Sequence, residues 1–92
     1  MRVQVEYLAQ IKQAAGVARE HVELDRPCLL HEFVLKLADR RGEPFRKLLV
    51  DVNGQLHSTI LLFLNDEQVA AGKHVELQGG ESVTLLSPMA GG

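Results

Sequence analysis

The sequence predicts an α+β fold: a mixed sheet of four or five strands with one long helix on one of its faces. Three observations carry this. Residues 2–8 alternate with period two, Val3, Val5 and Tyr7 on one side and Gln4, Glu6 and Leu8 on the other, as a half-buried strand does. A single strong 3.6-residue rhythm runs from Leu30 to Arg41. The rest of the chain returns to short apolar strands punctuated by Gly, Asn and Asp. Strands on both sides of one good helix leave that helix only one sheet face to cover.

Ala9 to Ala15 reads as a short helical segment stopped by Gly16, a natural C-terminal cap. Val22 and Leu24, alternating with His21, Glu23 and Asp25, give a second strand, and the first two strands form a hairpin with a wide connection. Pro27-Cys28 introduces the long helix. Leu30, Phe33, Val34, Leu37 and Arg41 keep the i, i+3, i+4 spacing with Ala38 at its edge, and Gly42 ends it. His31, Glu32, Lys36, Asp39 and Arg40 make the wet face, where Glu32 and Lys36 form a correctly oriented i, i+4 pair. Leu35 lies off the stripe, either under a loop or on the surface.

A short second helix fits between Glu43 and Val50, after Pro44, and Asp51-Val52-Asn53-Gly54 is a turn. Thr59 to Leu64 is continuously apolar after its first residue, the mark of an interior strand. Asn65-Asp66 turns the chain into a short strand at Glu67 to Val69. Leu77 to Glu81 is a further turn before the last strand, Ser82 to Ser87. This order is the ubiquitin-like, or β-grasp, arrangement.

The 92 residues make one domain, 1–92, with a folded body over 1–87 and an extended tail over 88–92. Apolar residues at 46% and charged residues at 24% are ordinary for a globular protein. A net charge of -2 with no Lys/Arg cluster provides no electrostatic footprint for nucleic acid. No apolar run has the length of a membrane span, and the N-terminus lacks a signal-peptide layout. A single cysteine, Cys28, excludes an internal disulfide framework, so the expected location is cytoplasmic.

If the helix covers one face, one parity of each strand points outward. Setting Val3, Val5, Tyr7, Ile60, Leu62, Leu64, Val83 and Leu85 inward leaves Leu8, Leu61, Phe63 and Leu86 outside. These four would form an apolar partner-binding patch, unless the second helix or a loop folds over it.

The closing stretch, Leu85-Leu86-Ser87-Pro88-Met89-Ala90-Gly91-Gly92, runs from a strand through a proline into two glycines. Pro88 cannot donate a ladder hydrogen bond, so the strand is expected to stop at Ser87. Beyond it, the chain is expected to be a free, narrow tail reaching about 15 Å at ~3.3 Å per residue. Such a tail suits insertion into another protein's active site, with the Gly92 carboxylate as the working group. Many chains end in small residues because termini fray, so the body must support that reading.

Inside the body, chemistry is poorly represented. His21, His31, His57 and His74 are scattered without zinc-ligand spacing and read as surface residues, so no metal site is expected. Cys28 sits near a helix start, where the dipole could lower its pKa, and reads otherwise as a small buried residue. Gly79-Gly80 leads into a strand and is a turn, not a phosphate loop. No nucleophile elbow or catalytic carboxylate pair is present, and no catalytic residue is assigned within the body.

Five segments taken together resemble the MoaD/ThiS sulfur carriers, closest to the small subunit of molybdopterin synthase. They are Val5-Glu6-Tyr7-Leu8-Ala9-Gln10, Ala14-Ala15-Gly16-Val17, Leu64-Asn65, Gly80-Glu81-Ser82-Val83 and the Pro88 to Gly91-Gly92 tail. Lys12-Gln13 replaces a frequent Arg-Glu pair, and Ser87 stands where a second proline is common. The resemblance covers Arg2 to Gly92 and is weakest between Gly42 and Ser58, a length of chain that favours the molybdenum-cofactor branch.

The resemblance implies a non-catalytic, sulfur-carrying subunit with no permanently bound cofactor. A ubiquitin-activating-type adenylyltransferase would consume ATP to join the Gly92 carboxylate to AMP, turning a poor electrophile into one with a good leaving group. Sulfur from a persulfide donor would displace AMP and leave a thiocarboxylate. The large subunit of molybdopterin synthase would then receive that sulfur for a pterin precursor. Ala90 and Gly91 would thread a narrow channel, glycine adopting whatever φ/ψ is required there. The alternatives are a ubiquitin-like modifier conjugated to lysines, a sulfur carrier for thiamine or another pathway, or a plain interaction module.

Overall fold

The computed structural model describes residues 1–70 and 73–87. The strands are β1 (Arg2–Leu8), β2 (Arg19–Glu23), β3 (Cys28–Leu29), β4 (Leu61–Leu64), β5 (Glu67–Gln68), β6 (Glu76–Leu77) and β7 (Ser82–Ser87). The helices are α1 (Ala9–Ala15), α2 (Leu30–Arg41) and α3 (Phe45–Leu49). Five strands form one mixed sheet in the order β2-β1-β7-β4-β5, while β3 and β6 form a separate two-stranded ribbon. The final strand lies in the middle of the main sheet, parallel to β1 and antiparallel to β4. This is the β-grasp fold the sequence pattern predicts.

Alternation decides which face is covered. Val3, Val5, Tyr7, Val83 and Leu85 are all 0% exposed and pack with Phe33, Val34 and Leu37 of α2. Leu62 and Leu64 are half-buried against the same core. Slipping β7 by one residue would turn Val83 and Leu85 out to water, and at about 1.5–3 kcal/mol per large buried side chain the register is strongly held. The covered face carries more than the one helix: α1 contributes Ile11, and α3 contributes Phe45 and Leu49, all within the core. The stretch between Gly42 and Ser58, uncharacteristic in sequence, therefore supplies two of the largest fully buried side chains.

Several turns follow directly from residue chemistry. Gly16 takes φ 81° and donates its N–H to Lys12 O, closing α1. Asp51 Oδ1 accepts from the N–H groups of Asn53 and Gln55, fixing the turn before β4. Asn65 and Asp66 take φ 50° and 71°, a left-handed pair that joins β4 to β5 as a tight hairpin.

Four expectations are corrected. The long helix begins at Leu30, because Cys28–Leu29 is extended and pairs with Glu76–Leu77. The turn at residues 77–81 starts one residue later, since Leu77 lies in β6 and is fully buried. The second strand spans Arg19–Glu23, two residues earlier than its apolar alternation suggests, because Glu20 takes an inward position. The interior strand starts at Leu61; Thr59 is exposed in a turn, and Ile60 is buried ahead of the strand with its N–H bonded to His57 O.

Candidate functional site

The helix-free face is built from the outward parity of three adjacent strands. Cα register places Leu8 beside Leu86, and Leu86 beside Leu61, so the three form one row across β1, β7 and β4. One step along, Glu6, Thr84, Phe63 and Gln68 form the next row. Leu8 is 38% exposed, and Leu61, Phe63 and Leu86 are half-buried. None of these four packs against the core, unlike their neighbours Leu62, Leu64 and Leu85. Covalent geometry explains the separation, because successive strand residues point to opposite faces.

The predicted patch residues are thus brought together at the end of the sheet where β7 finishes at Ser87. Thr84 belongs to the same surface, 8% exposed between Glu6 and Phe63, and its polarity concealed it in the sequence. Ala90, Gly91 and Gly92, and the tail expected over residues 88–92, lie outside the described residues.

Beneath the opposite face, β1, β2 and α2 meet at a polar cluster. Tyr7 Oη donates to Glu20 Oε2 at 2.5 Å. Arg41 donates to the same oxygen at 2.6 and 3.1 Å and to Ala15 O at 2.8 Å, while Arg40 reaches Glu20 Oε1 at 2.9 Å. The Arg41 guanidinium also lies 5.3 Å from the Tyr7 ring and 5.6 Å from the Phe45 ring, and those rings meet edge to face. Burial, reinforced by the Glu20 carboxylate, pushes the Tyr7 phenol up to about 12. Burial by itself would raise the Glu20 pKa, but the hydrogen bonds from Tyr7 and Arg41 outweigh it and hold the carboxyl below its ordinary value. Every charge here has a partner, so the cluster is structural glue between hairpin and helix.

The remaining candidates stay apart from chemistry. Cys28 is a half-buried free thiol in β3, and burial pushes its pKa up, the reverse of what a helix start would do. His31 and His74 meet edge to face with centroids 6.1 Å apart, a pairing no spacing rule reveals. Among the described residues, no group of three or more His, Cys, Asp or Glu side chains could hold a metal ion. No helix among them is long and apolar enough to cross a membrane. The Glu81 carboxylate accepts from the N–H groups of Gln78 and Gly79, each at 2.7 Å, and those bonds outweigh its burial and lower its pKa.

Solved structures share the architecture. Urm1 from Trypanosoma brucei is 24% identical, with a TM-score of 0.80 over 99% of this chain and 95% of that one. A Pyrococcus furiosus protein assigned as molybdopterin converting factor subunit 1 is 24% identical, with a TM-score of 0.70 over 96% and 98%. A chain of the BexX/CysO complex from Amycolatopsis orientalis is 25% identical, with a TM-score of 0.65 over 98% and 99%. The chain has no match among curated proteins. The ThiS family model matches residues 5–92, all but the first four positions. On that match, laid over a β-grasp body, the chain belongs to the ThiS family of ubiquitin-like sulfur carriers and modifiers.

Proposed function

We propose that this chain carries sulfur as a thiocarboxylate on Gly92 and delivers it within a molybdopterin synthase. The observation that supports this most directly is the row Leu8–Leu86–Leu61 on the helix-free face, at the end of the strand from which residues 88–92 continue. A carrier needs a surface that its partners grip while its terminus reacts elsewhere. An apolar patch beside the exit point would let an activating enzyme and a synthase subunit bind in turn, each aiming the terminus at its own active site. Phe63 extends that surface toward β5.

In this reading the body contributes no acid, base or nucleophile. An adenylyltransferase joins the Gly92 carboxylate to AMP, and a persulfide displaces the AMP to form an acyl disulfide. A thiol cleaves that S–S bond to leave the thiocarboxylate and a new disulfide, and the large synthase subunit supplies the pterin site. Ala90 and Gly91 keep the approach narrow. Cys28, half-buried with a raised pKa, is given no part in this scheme.

Intact-mass analysis of the chain after incubation with ATP, its activating enzyme, a persulfide donor and a thiol reductant tests the proposal. Exchange of one oxygen for sulfur at Gly92 is the expected result. Conjugates in which Gly92 is joined to lysines of other proteins, without sulfur exchange, would instead make this a protein modifier. Sulfur exchange followed by transfer only to a thiazole-forming enzyme would place it in thiamine synthesis.

A further inference from the structure

The sheet has one edge whose chemistry matches itself. β2 is the outermost strand and pairs only with β1 among the described residues. Tyr7 N–H bonds to Ala18 O and Leu24 N–H to Met1 O, so the even-numbered residues of this strand turn their main-chain groups toward β1. By the alternation of an antiparallel ladder, Arg19, His21 and Glu23 turn theirs away from it. The side chains of the same three residues are exposed on the helix-free face.

We propose that two copies of this chain pair through β2, antiparallel about a two-fold axis at His21. In that register His21 faces the other His21, and Arg19 faces Glu23 at both ends. Edge strands usually resist pairing by presenting charge. Here the signs alternate so that antiparallel self-pairing sets opposite charges together, which stabilises a cross-strand pair. Arg19 and Glu23 can be drawn into such pairs, since their own-chain contacts are long: Arg19 lies 3.8 Å from Glu6, and Glu23 lies 3.4 Å from Arg2 and 3.6 Å from the N-terminus.

The groove beside this edge repeats the same logic. It has a volume of about 490 Å³, and its walls are Val22 and Leu24 on one side and Phe33 and Leu37 of α2 on the other. Arg40 contacts Glu20, which sets the helix antiparallel to the strand. Arg40 therefore flanks one end, Glu32 lies at the other with Glu23 and Asp25, accompanied by Arg26, and Lys36 stands between them, one helical turn from each. A two-fold axis at His21 brings the Arg40 end of one copy against the Glu23–Asp25–Glu32 end of the other, twice. The two half-grooves then share one apolar seam. Such a dimer leaves Leu61, Leu86 and the end of β7 uncovered, so it does not depend on the sulfur-carrier reading.

Sedimentation equilibrium from micromolar to millimolar protein, with amide exchange of residues 19, 21 and 23, tests the pairing. The expected result is a monomer–dimer equilibrium in which those three amides become protected as concentration rises. Arg19→Glu and Glu23→Arg should each weaken dimerisation by roughly tenfold or more, since each sets like charges opposite at both ends. An equimolar mixture of the two variants should recover it, because each then meets its complement. Arg19 and Glu23 side chains are 65% and 70% exposed, so folding is preserved. Leu61→Glu, on the same face but three strands away in β4, should leave the dimer intact. A chain that stays monomeric at millimolar concentration overturns the proposal. So does a dimer that ignores both charge reversals, or one abolished only by Leu61→Glu.

Discussion

Replacing Glu20 by Gln keeps the side chain's shape and removes its charge from the cluster that joins β1, β2 and α2. The Glu20 and Arg41 side chains are 20% and 21% exposed and 2.6 Å apart. Breaking a fully buried ion pair by removing one partner costs about 3–5 kcal/mol. With a fifth of each side chain still reaching water, and with the Gln carbonyl still able to accept from Tyr7, the expected loss falls to about 2–3 kcal/mol. A chain of this length has a total stability of roughly 5–14 kcal/mol, so the variant should fold. The assay is urea unfolding of both proteins, comparing midpoints at a common slope. The internal reference is Asp39→Asn. Asp39 pairs with Arg46 at 3.0 Å, a distance within the range found around Glu20, but its side chain is 72% exposed. That change should cost no more than about 0.5 kcal/mol. If Glu20→Gln costs as little as Asp39→Asn, burial does not set the strength of this pair and the reasoning fails.

The same cluster, together with Glu81 in the turn before β7, implies a two-sided pH profile. Glu20 and Glu81 have lowered folded pKa values, so their stabilisation is present above the ordinary carboxylate value and lost as pH falls through the lower folded one. Tyr7 is raised to about 12, so its contribution is intact below the ordinary phenol value of 10.0 and disappears as pH rises from there toward 12; melting temperature against pH reads both limbs. Gly16→Ala should cost about 1 kcal/mol in urea unfolding through backbone strain alone, since φ is 81° and no atom lies within 4 Å of an added Cβ. Leu61→Glu should leave the circular dichroism and melting curve near wild type while abolishing complex formation with the activating enzyme in pull-down. Leu85→Ala, inside the core, should cost about 2–5 kcal/mol. A Leu61→Glu variant that unfolds yet still binds would sink the parity assignment.

What could be read from sequence depended on the length of each signal. β1 and β7 span seven and six residues, long enough for alternation to declare both strand and face. The inward and outward sets of those strands followed from that periodicity, whereas β4 is apolar at every position and the outward place of Leu61 is a choice of parity that no period dictates. β3 and β6 have two residues each and carry no period; only a long-range pairing makes them strands. Glu20 concealed the start of β2 because an acidic residue reads as outward-facing until Tyr7 and Arg41 are known to surround it. Arg41 fell on the apolar stripe of α2 for a matching reason: its guanidinium lies over the Tyr7 and Phe45 rings with its charge met by Glu20. Sequence periodicity ranks such residues by polarity, whereas the fold ranks them by available partners.

The position of β7 has a consequence for how the molecule is made. β7 comes after both β1 and β4 in the chain and fills the gap between them, so neither neighbour has this partner until residues 82–87 have been made. A nascent hairpin of β1 and β2 would wait with an unsatisfied inner edge until β7 is available. The main sheet should therefore close only when residues 82–87 are free to pair, and a chain cut before Ser82 should stay unfolded.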